Sequence, residues 1–163
     1  LVVVIAGAMS KISATVALGL FFVYAASVGL GVGLIVYGYT TASVAQAFLS
    51  ASAMFGGAAI YGAVTKRSLA GMRGMLTMGL IGLFAAMIIN IFLNSDVMSW
   101  MISIAGIGIF TALTAYDVQR IQAGDLAARL GSMEKAAVIG ALSLYLNFLN
   151  MFLFFLRLMG GRS

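Results

Sequence analysis

The sequence predicts an all-α, polytopic membrane bundle, and three observations carry that prediction. First, 63% of the 163 residues are hydrophobic and only 8% are charged, with a mean hydropathy of +1.15. Soluble domains run at roughly 45–50% apolar and about 25% charged residues, so a water-facing surface cannot be built from this chain. Second, long apolar stretches recur between short polar ones, each long enough for a helix to cross a hydrocarbon core of about 30 Å. Third, the apolar runs are continuous rather than alternating, which argues against a transmembrane barrel. A single helix pairs its own backbone groups, so it is the structure that lipid tolerates here.

Taken in order, residues 1–9 are too short to span and are expected to be the end of a truncated helix. Leu1 opens straight into Val-Val-Val-Ile with no charged region and no cleavage site, so this stretch does not read as a signal peptide. The expectation is that residues before Leu1 are missing. Lys11 is the first charge, and residues 13–37 form the first full span. Gly29 and Gly33 share one face near its far end, which allows close helix approach, though ordinary small-residue packing without a dimer motif accounts for them better. A short uncharged connection, Tyr37 to Thr41, leads to a second span at 42–64 with Ser50, Ser52, Gly56 and Gly57 as small positions. The loop 65–73 carries Lys66, Arg67 and Arg73 and no acidic residue. A third span at 74–93 closes on Asn90 and Asn94, and the turn 94–96 is slightly acidic. The fourth span, 97–122, opens at Trp100, an interfacial anchor, and ends at Arg120 and Gln122. Residues 123–133 read as a polar, Gly-flanked loop with Asp125, Arg129 and Gly131, and 134–158 form the last span.

Charge sets the expected orientation. Lys11, Lys66, Arg67, Arg73, Arg120, Arg129 and Lys135 fall on one side of the membrane, and Arg157 and Arg162 on the other. The richer side is predicted to be cytoplasmic, so the loops 65–73 and 123–133 are placed there. The basic tail then lies outside; a short, tilted or re-entrant last helix would reconcile it with the charge rule. The positive charges read as orientation and headgroup signals from a protein whose partner is the lipid bilayer, not nucleic acid.

The chain has no Cys and no His. Disulfides, thiol chemistry, ordinary zinc sites and a His-ligated haem are therefore not expected, and no cofactor is. The eleven Met residues are scattered among Leu and Ile and read as packing and lipid contact. There is no Pro, so nothing favours a Pro-broken helix pair of the transporter kind. Without a nucleophile–base pair, a metal cluster or a phosphate loop, no enzyme activity is expected.

Asp117 stands out against this background. A carboxylate in a membrane helix costs roughly 2.5–3.5 kcal/mol at mid-bilayer and less near the edge, so Asp117 needs a compensating partner. Tyr116 and Arg120 flank it on the fourth span. On the last span Ser143, Asn147 and Asn150 lie at i, i+4 and i+7 and share one stripe. A loop of about eleven residues lets the two spans be antiparallel neighbours. The compensating group is Arg120, Asn147 across the interface, or a bound cation. For Ser143 and Asn150, helix-to-helix glue is an adequate role.

Two stretches carry a family resemblance. Thr111-Ala-Leu-Thr-Ala-Tyr-Asp-Val-Gln-Arg120 and Gly140-Ala-Leu-Ser-Leu-Tyr-Leu-Asn-Phe-Leu-Asn-Met-Phe-Leu-Phe-Phe-Leu-Arg-Leu-Met-Gly160 together resemble the paired signature of the Bax inhibitor-1 family (TMBIM, with bacterial YccA-like members). Tyr61-Gly-Ala-Val-Thr-Lys-Arg-Ser-Leu-Ala-Gly71 is similar to the family's central loop. The resemblance implies seven spans, of which five full ones and a stub are present here, with the last helix at the centre of a ring of six. It also implies a bacterial inner-membrane location and, from better-studied members, a pH-sensitive calcium leak or modulation of membrane proteolysis and stress survival.

In the calcium-leak members, an aspartate matching Asp117 pairs with an aspartate in the last helix, and the two share a proton. This chain has Asn147 at that second position. An amide cannot titrate, and its NH2 group can donate to Asp117. Asp117 then remains a candidate Ca2+ ligand together with amide and carbonyl oxygens. Two functions are expected from these readings. One is a slow Ca2+ or H+ leak gated around Asp117 and Asn147. The other is a non-transporting regulator or accessory subunit of a larger assembly, such as a membrane protease or respiratory complex.

Overall fold

Serine and threonine set where the long helices begin. The side-chain oxygens of Ser13, Thr40, Ser95 and Ser132 each accept from a backbone N–H three residues on, at 3.2–3.3 Å. Each satisfies one of the four amides that a helix start leaves unpaired. The computed structural model describes residues 7–8 and 11–161. The four helices capped this way are α1 (Ala14–Tyr37), α2 (Thr41–Val64), α4 (Asp96–Gln122) and α6 (Met133–Met159). The helix α3 (Arg73–Leu93) is entered through a single 3-10 turn, Ala70–Met72, and stops at Asn94. Asn94 takes the left-handed conformation, φ 51°, which asparagine tolerates better than most residues.

The stretch 123–133, expected as a loop, contains a six-residue helix α5 (Asp125–Leu130). Gly124 and Gly131 bracket it with φ of 76° and 65°. Asp125 in its first turn and Arg129 in its last suit the helix dipole, and Leu126 is buried. The stub expected at 1–9 lies mostly outside the described residues; Gly7 and Ala8 are helical.

Five of the helical segments are long and apolar enough to cross a membrane: α1, α2, α3 with its preceding turn, α4 and α6. Their outward faces carry bare hydrocarbon. Leu30, Leu34 and Phe92, for example, are 76–84% exposed, which suits lipid and not water. All five therefore read as spans of a multi-pass membrane bundle.

The last helix is central, as expected. It packs against α1, α2, α4 and α5, and its residues enter three separate apolar clusters. Val138 and Leu142 meet Ala17 of α1. Phe152 and Leu156 meet Ala47 and Ala51 of α2. Met151 and Phe154 meet Ile102, Ile107 and Phe110 of α4, together with Leu83 of α3. Helix α4 shares the centre, because α2, α3 and α6 all pack on it, while α3 packs chiefly on α4.

Between helices already in hydrocarbon, association depends on close van der Waals fit, and small residues provide it. The site of closest approach is Gly62 of α2 against the Ala115 backbone of α4. A Cβ at Gly62 would lie within 3 Å of the Ala115 Cα and carbonyl carbon and would collide with its carbonyl oxygen. The Gly29–Gly33 spacing, which would have allowed such an approach, is not used for one. Gly29 and Gly33 face outward with no atom within 4 Å of an added Cβ, because α1 meets the bundle through its other face.

The tail is fastened. The Thr40 N–H donates to the Gly161 carbonyl at 3.2 Å, and the Gly161 N–H donates to Ser43 Oγ at 2.9 Å. Helix α6 therefore runs its full 27 residues from one end of the bundle to the other. A re-entrant last helix, considered as a relief for the charge count, is absent; Gly161 sits beside the α1–α2 connection, opposite the 65–72 loop. Arg162 lies outside the described residues.

Gly62→Ala is expected to lower stability by about 1–3 kcal/mol, the usual range for overpacking against a backbone that cannot retreat. Gly57→Ala on the same helix meets open space and is expected to be neutral or stabilising. Reversible unfolding in mixed micelles compares the two; equal stability would contradict the close α2–α4 crossing.

Candidate functional site

The two central helices are antiparallel, and each contributes one half of a buried polar contact. Asn147 of α6 donates through Nδ2 to Asp117 Oδ2 of α4 at 2.8 Å. Both side chains are buried, at 5% and 8% exposure. A carboxylate has only acceptors to offer, so the amide turns its NH2 group toward it. Asp117 lies five residues before the end of α4, about 7.5 Å along the axis. The contact is thus nearer one membrane surface than the bilayer centre.

Of the two side-chain partners the sequence allowed for Asp117, Asn147 is the one that hydrogen-bonds it. Arg120 turns elsewhere: its guanidinium carbon lies 5.7 Å from the Tyr116 ring centroid, in a cation–π position. Arg120 Nε is buried and has no hydrogen-bond partner among the described residues. Tyr116 itself is buried with Leu69, Leu76 and Ala115. The polar stripe on α6 does not act as a unit. Asn150 donates to the Leu146 carbonyl of its own helix at 2.8 Å, and Ser143 is half-buried one turn before Asn147. The hydroxyls of Ser103, Thr111 and Thr114 likewise bond carbonyls four residues back, at 2.9, 2.6 and 2.8 Å, so α4 satisfies them locally.

Two polar cavities lie at opposite ends of the bundle. One, of about 620 Å³, is lined by Asn90, Asn94, Asp96, Ser99 and Arg157. The other, of about 300 Å³, lies at the loop end and is lined by Lys66, Ser68, Tyr116, Gln119, Arg120 and Asp125. Neither is lined by Asp117 or Asn147. The buried side chains of Phe110, Met151 and Phe154 fill the space between the central helices. Among the described residues no group of three or more Asp, Glu, His or Cys side chains surrounds Asp117. A Ca2+ shell of six to eight oxygens would need oxygens from beyond this pair.

Sequence reasoning passed over Gln119. Its Oε1 accepts from the Leu69 N–H at 2.7 Å, and its Nε2 donates to the Arg67 carbonyl at 2.9 Å. One amide thereby clamps the basic loop to the end of α4. The available signal was spacing: Gln119 lies at i+3 from Tyr116, on the face that meets the loop.

Fold and site together define a polytopic helical membrane protein whose central pair of helices is joined by a single buried carboxylate–amide contact. The chain belongs to the Bax inhibitor-1 family: the family pattern described as "Inhibitor of apoptosis-promoting Bax1" matches residues 1–163. It is similar to the inner membrane protein YbhL of Escherichia coli K12, 39% identical over 167 residues, covering 99% of this chain and 70% of that protein. A protein of Borreliella burgdorferi is 40% identical over 164 residues, covering 99% of this chain and 71% of its own length. A membrane protein of Streptococcus pyogenes serotype M3 is 40% identical over 160 residues, covering 98% and 69%.

Asn147→Ala leaves Asp117 buried without its partner and is expected to cost about 1–3 kcal/mol in micelle unfolding. Asn147→Ala at wild-type stability would contradict the contact. Gln119→Ala is expected to speed hydrogen exchange at the Leu69 amide about two- to tenfold, the net worth of one hydrogen bond.

Proposed function

We propose that this chain is an inner-membrane leak protein whose closed gate is the Asp117–Asn147 contact. One observation carries the proposal: the carboxylate–amide bond between the two central helices is buried, and the polar cavities toward either end of the bundle share no lining residue with each other and include neither Asp117 nor Asn147. Protons or Ca2+ are the permeant species. Neutralising Asp117, or bringing a cation to it, changes which interhelical hydrogen bond is best. The equilibrium between closed and open packings of α4 and α6 then shifts. The inner-membrane placement is supported by similarity to YbhL, whose name assigns it there. Seven of the nine Lys and Arg residues on the side of the 65–73 and 123–133 loops support a cytoplasmic position for those loops.

The apolar plug of Phe110, Met151 and Phe154 favours a second reading. A bundle sealed in this way serves equally as a non-transporting regulator or accessory subunit of a larger complex, such as a membrane protease or respiratory assembly. In that case the Asp117–Asn147 contact is a packing element, and a stoichiometric partner co-purifies in mild detergent.

Flux into proteoliposomes separates the two. Asp117→Asn is expected to change proton or Ca2+ flux several-fold, and Asn147→Asp to introduce a pH dependence the parent lacks, since two carboxylates at hydrogen-bond distance share a proton. Flux unchanged and pH-independent in both variants would overturn the gate.

A further inference from the structure

A second feature of the bundle opens sideways rather than to either end. A cleft of about 850 Å³ runs between α2 and the start of α3, with α4 as its floor. Its walls are apolar: Met54 and Tyr61 from α2, Met72 and Met75 from the far side, and Ile107 from below. Its charged group sits at one end, where Arg67 and Ser68 of the basic loop line the mouth, while the Thr111 hydroxyl on the floor is already bonded to the Ile107 carbonyl. Arg67 is exposed, and the loop 65–73 contains no acidic residue to neutralise it. The loop does not drift, because Gln119 holds the Arg67 carbonyl and the Leu69 amide.

Depth identifies the occupant. From the end of α2 at Val64 back to Met54 is ten residues, about 15 Å of helix. On the floor, Ala115 to Ile107 is about 12 Å. The hydrocarbon core is about 30 Å thick, so the cleft descends through one leaflet and stops near the middle. A transmembrane helix from a partner or a second copy would need a groove through both leaflets. An acyl chain needs one. Gly57 and Gly108 line the cleft, and an added Cβ at either would meet no atom within 4 Å, so the space in front of both is open. Methionine walls are adaptable and suit a flexible hydrocarbon tail.

We propose that this cleft binds one phospholipid with an anionic headgroup, its acyl chain lying between α2 and α3 and its phosphate held by Arg67. The cation at the mouth supplies the headgroup preference, and the single-leaflet depth supplies the preference for a lipid over a protein helix. The site is separate from the Asp117–Asn147 contact and stands whether or not that contact gates a leak.

The test is native mass spectrometry of the full chain released from nanodiscs containing phosphatidylglycerol or phosphatidylcholine. The parent is expected to retain one phosphatidylglycerol at collision energies that strip phosphatidylcholine, with at least a fivefold difference in retained lipid. Arg67→Gln is expected to abolish that difference while still retaining lipid. Gly108→Leu projects from the floor into the cleft, where the first added carbon meets no atom within 4 Å, and is expected to lose the retained lipid with unfolding unchanged. Equal retention of both lipids by the parent would overturn the proposal, as would full retention by Gly108→Leu. So would a dimer that Gly108→Leu dissociates and that carries no lipid, since a second copy would then occupy the cleft. Should Gly108→Leu fail to fold, Gly57→Leu fills the same cleft from α2 and decides the matter in the same way.

Discussion

A carboxylate buried between two membrane helices constrains everything around it. In lipid Asp117 cannot be left to itself, since an unsatisfied polar group in hydrocarbon costs several kcal/mol. The constraint is met by one bond, from Asn147 Nδ2 at 2.8 Å, and that bond fixes how α4 and α6 face each other. Once the pair is set, the neighbouring contacts follow. Gly140 of α6 approaches Ile121 of α4 on one side of the contact, and Gly106 of α4 receives the Phe154 ring further along. Phe110, Met151 and Phe154 complete the same seam, so the polar bond and the apolar core belong to one interface.

Around that seam the bundle is asymmetric. The loop end is gathered tightly: Gln119 draws the basic loop onto α4, and Gly62 brings α2 into contact with the Ala115 backbone two residues from Asp117. The opposite end is tied by the tail, through Gly161 to Thr40 and Ser43, and by Asn90, which donates to Ser99 Oγ at 2.7 Å and accepts from the Ser95 N–H at 3.1 Å. Both ends are hydrogen-bonded across elements, while the mid-membrane faces are held by packing. This distribution follows from the solvent: polar ties gather at the interfaces, and within the spans the Asp117–Asn147 bond is joined by longer contacts, among them Tyr145 Oη to the Ala25 carbonyl at 3.4 Å and Thr111 Oγ1 to Met151 Sδ at 4.0 Å.

Much of this architecture was legible in the amino-acid order, for a physical reason. A span must be long and apolar, and a loop must be polar, so hydropathy marks both. That Asp117 needs a partner was also legible, because a lone acid in a membrane helix demands one, but the residues left Arg120, Asn147 and a bound cation open, and only the family resemblance pointed to position 147. What hydropathy does not encode is which face of each helix looks inward. Gly29 and Gly33 satisfy a small-residue spacing and yet face away, whereas Gly62, four residues after Ala58, shares that kind of spacing and makes the closest crossing, so spacing alone does not tell the two apart. Arg120 at i+3 was an equally good electrostatic candidate for Asp117, and spacing alone does not foretell that its guanidinium lies 5.7 Å from the Tyr116 ring centroid. The helix α5 escaped notice because six residues between two glycines carry too little periodicity to be distinguished from a polar loop.

Asp117 and Asn147 act on each other and not merely near each other. A double-mutant cycle of Asp117→Ala and Asn147→Ala, measured by reversible unfolding in mixed micelles, addresses it directly. A coupling energy at or above the average of about 0.6 kcal/mol for interhelical hydrogen bonds in membranes is expected. Strictly additive losses would show that the two side chains are buried independently, and would contradict it.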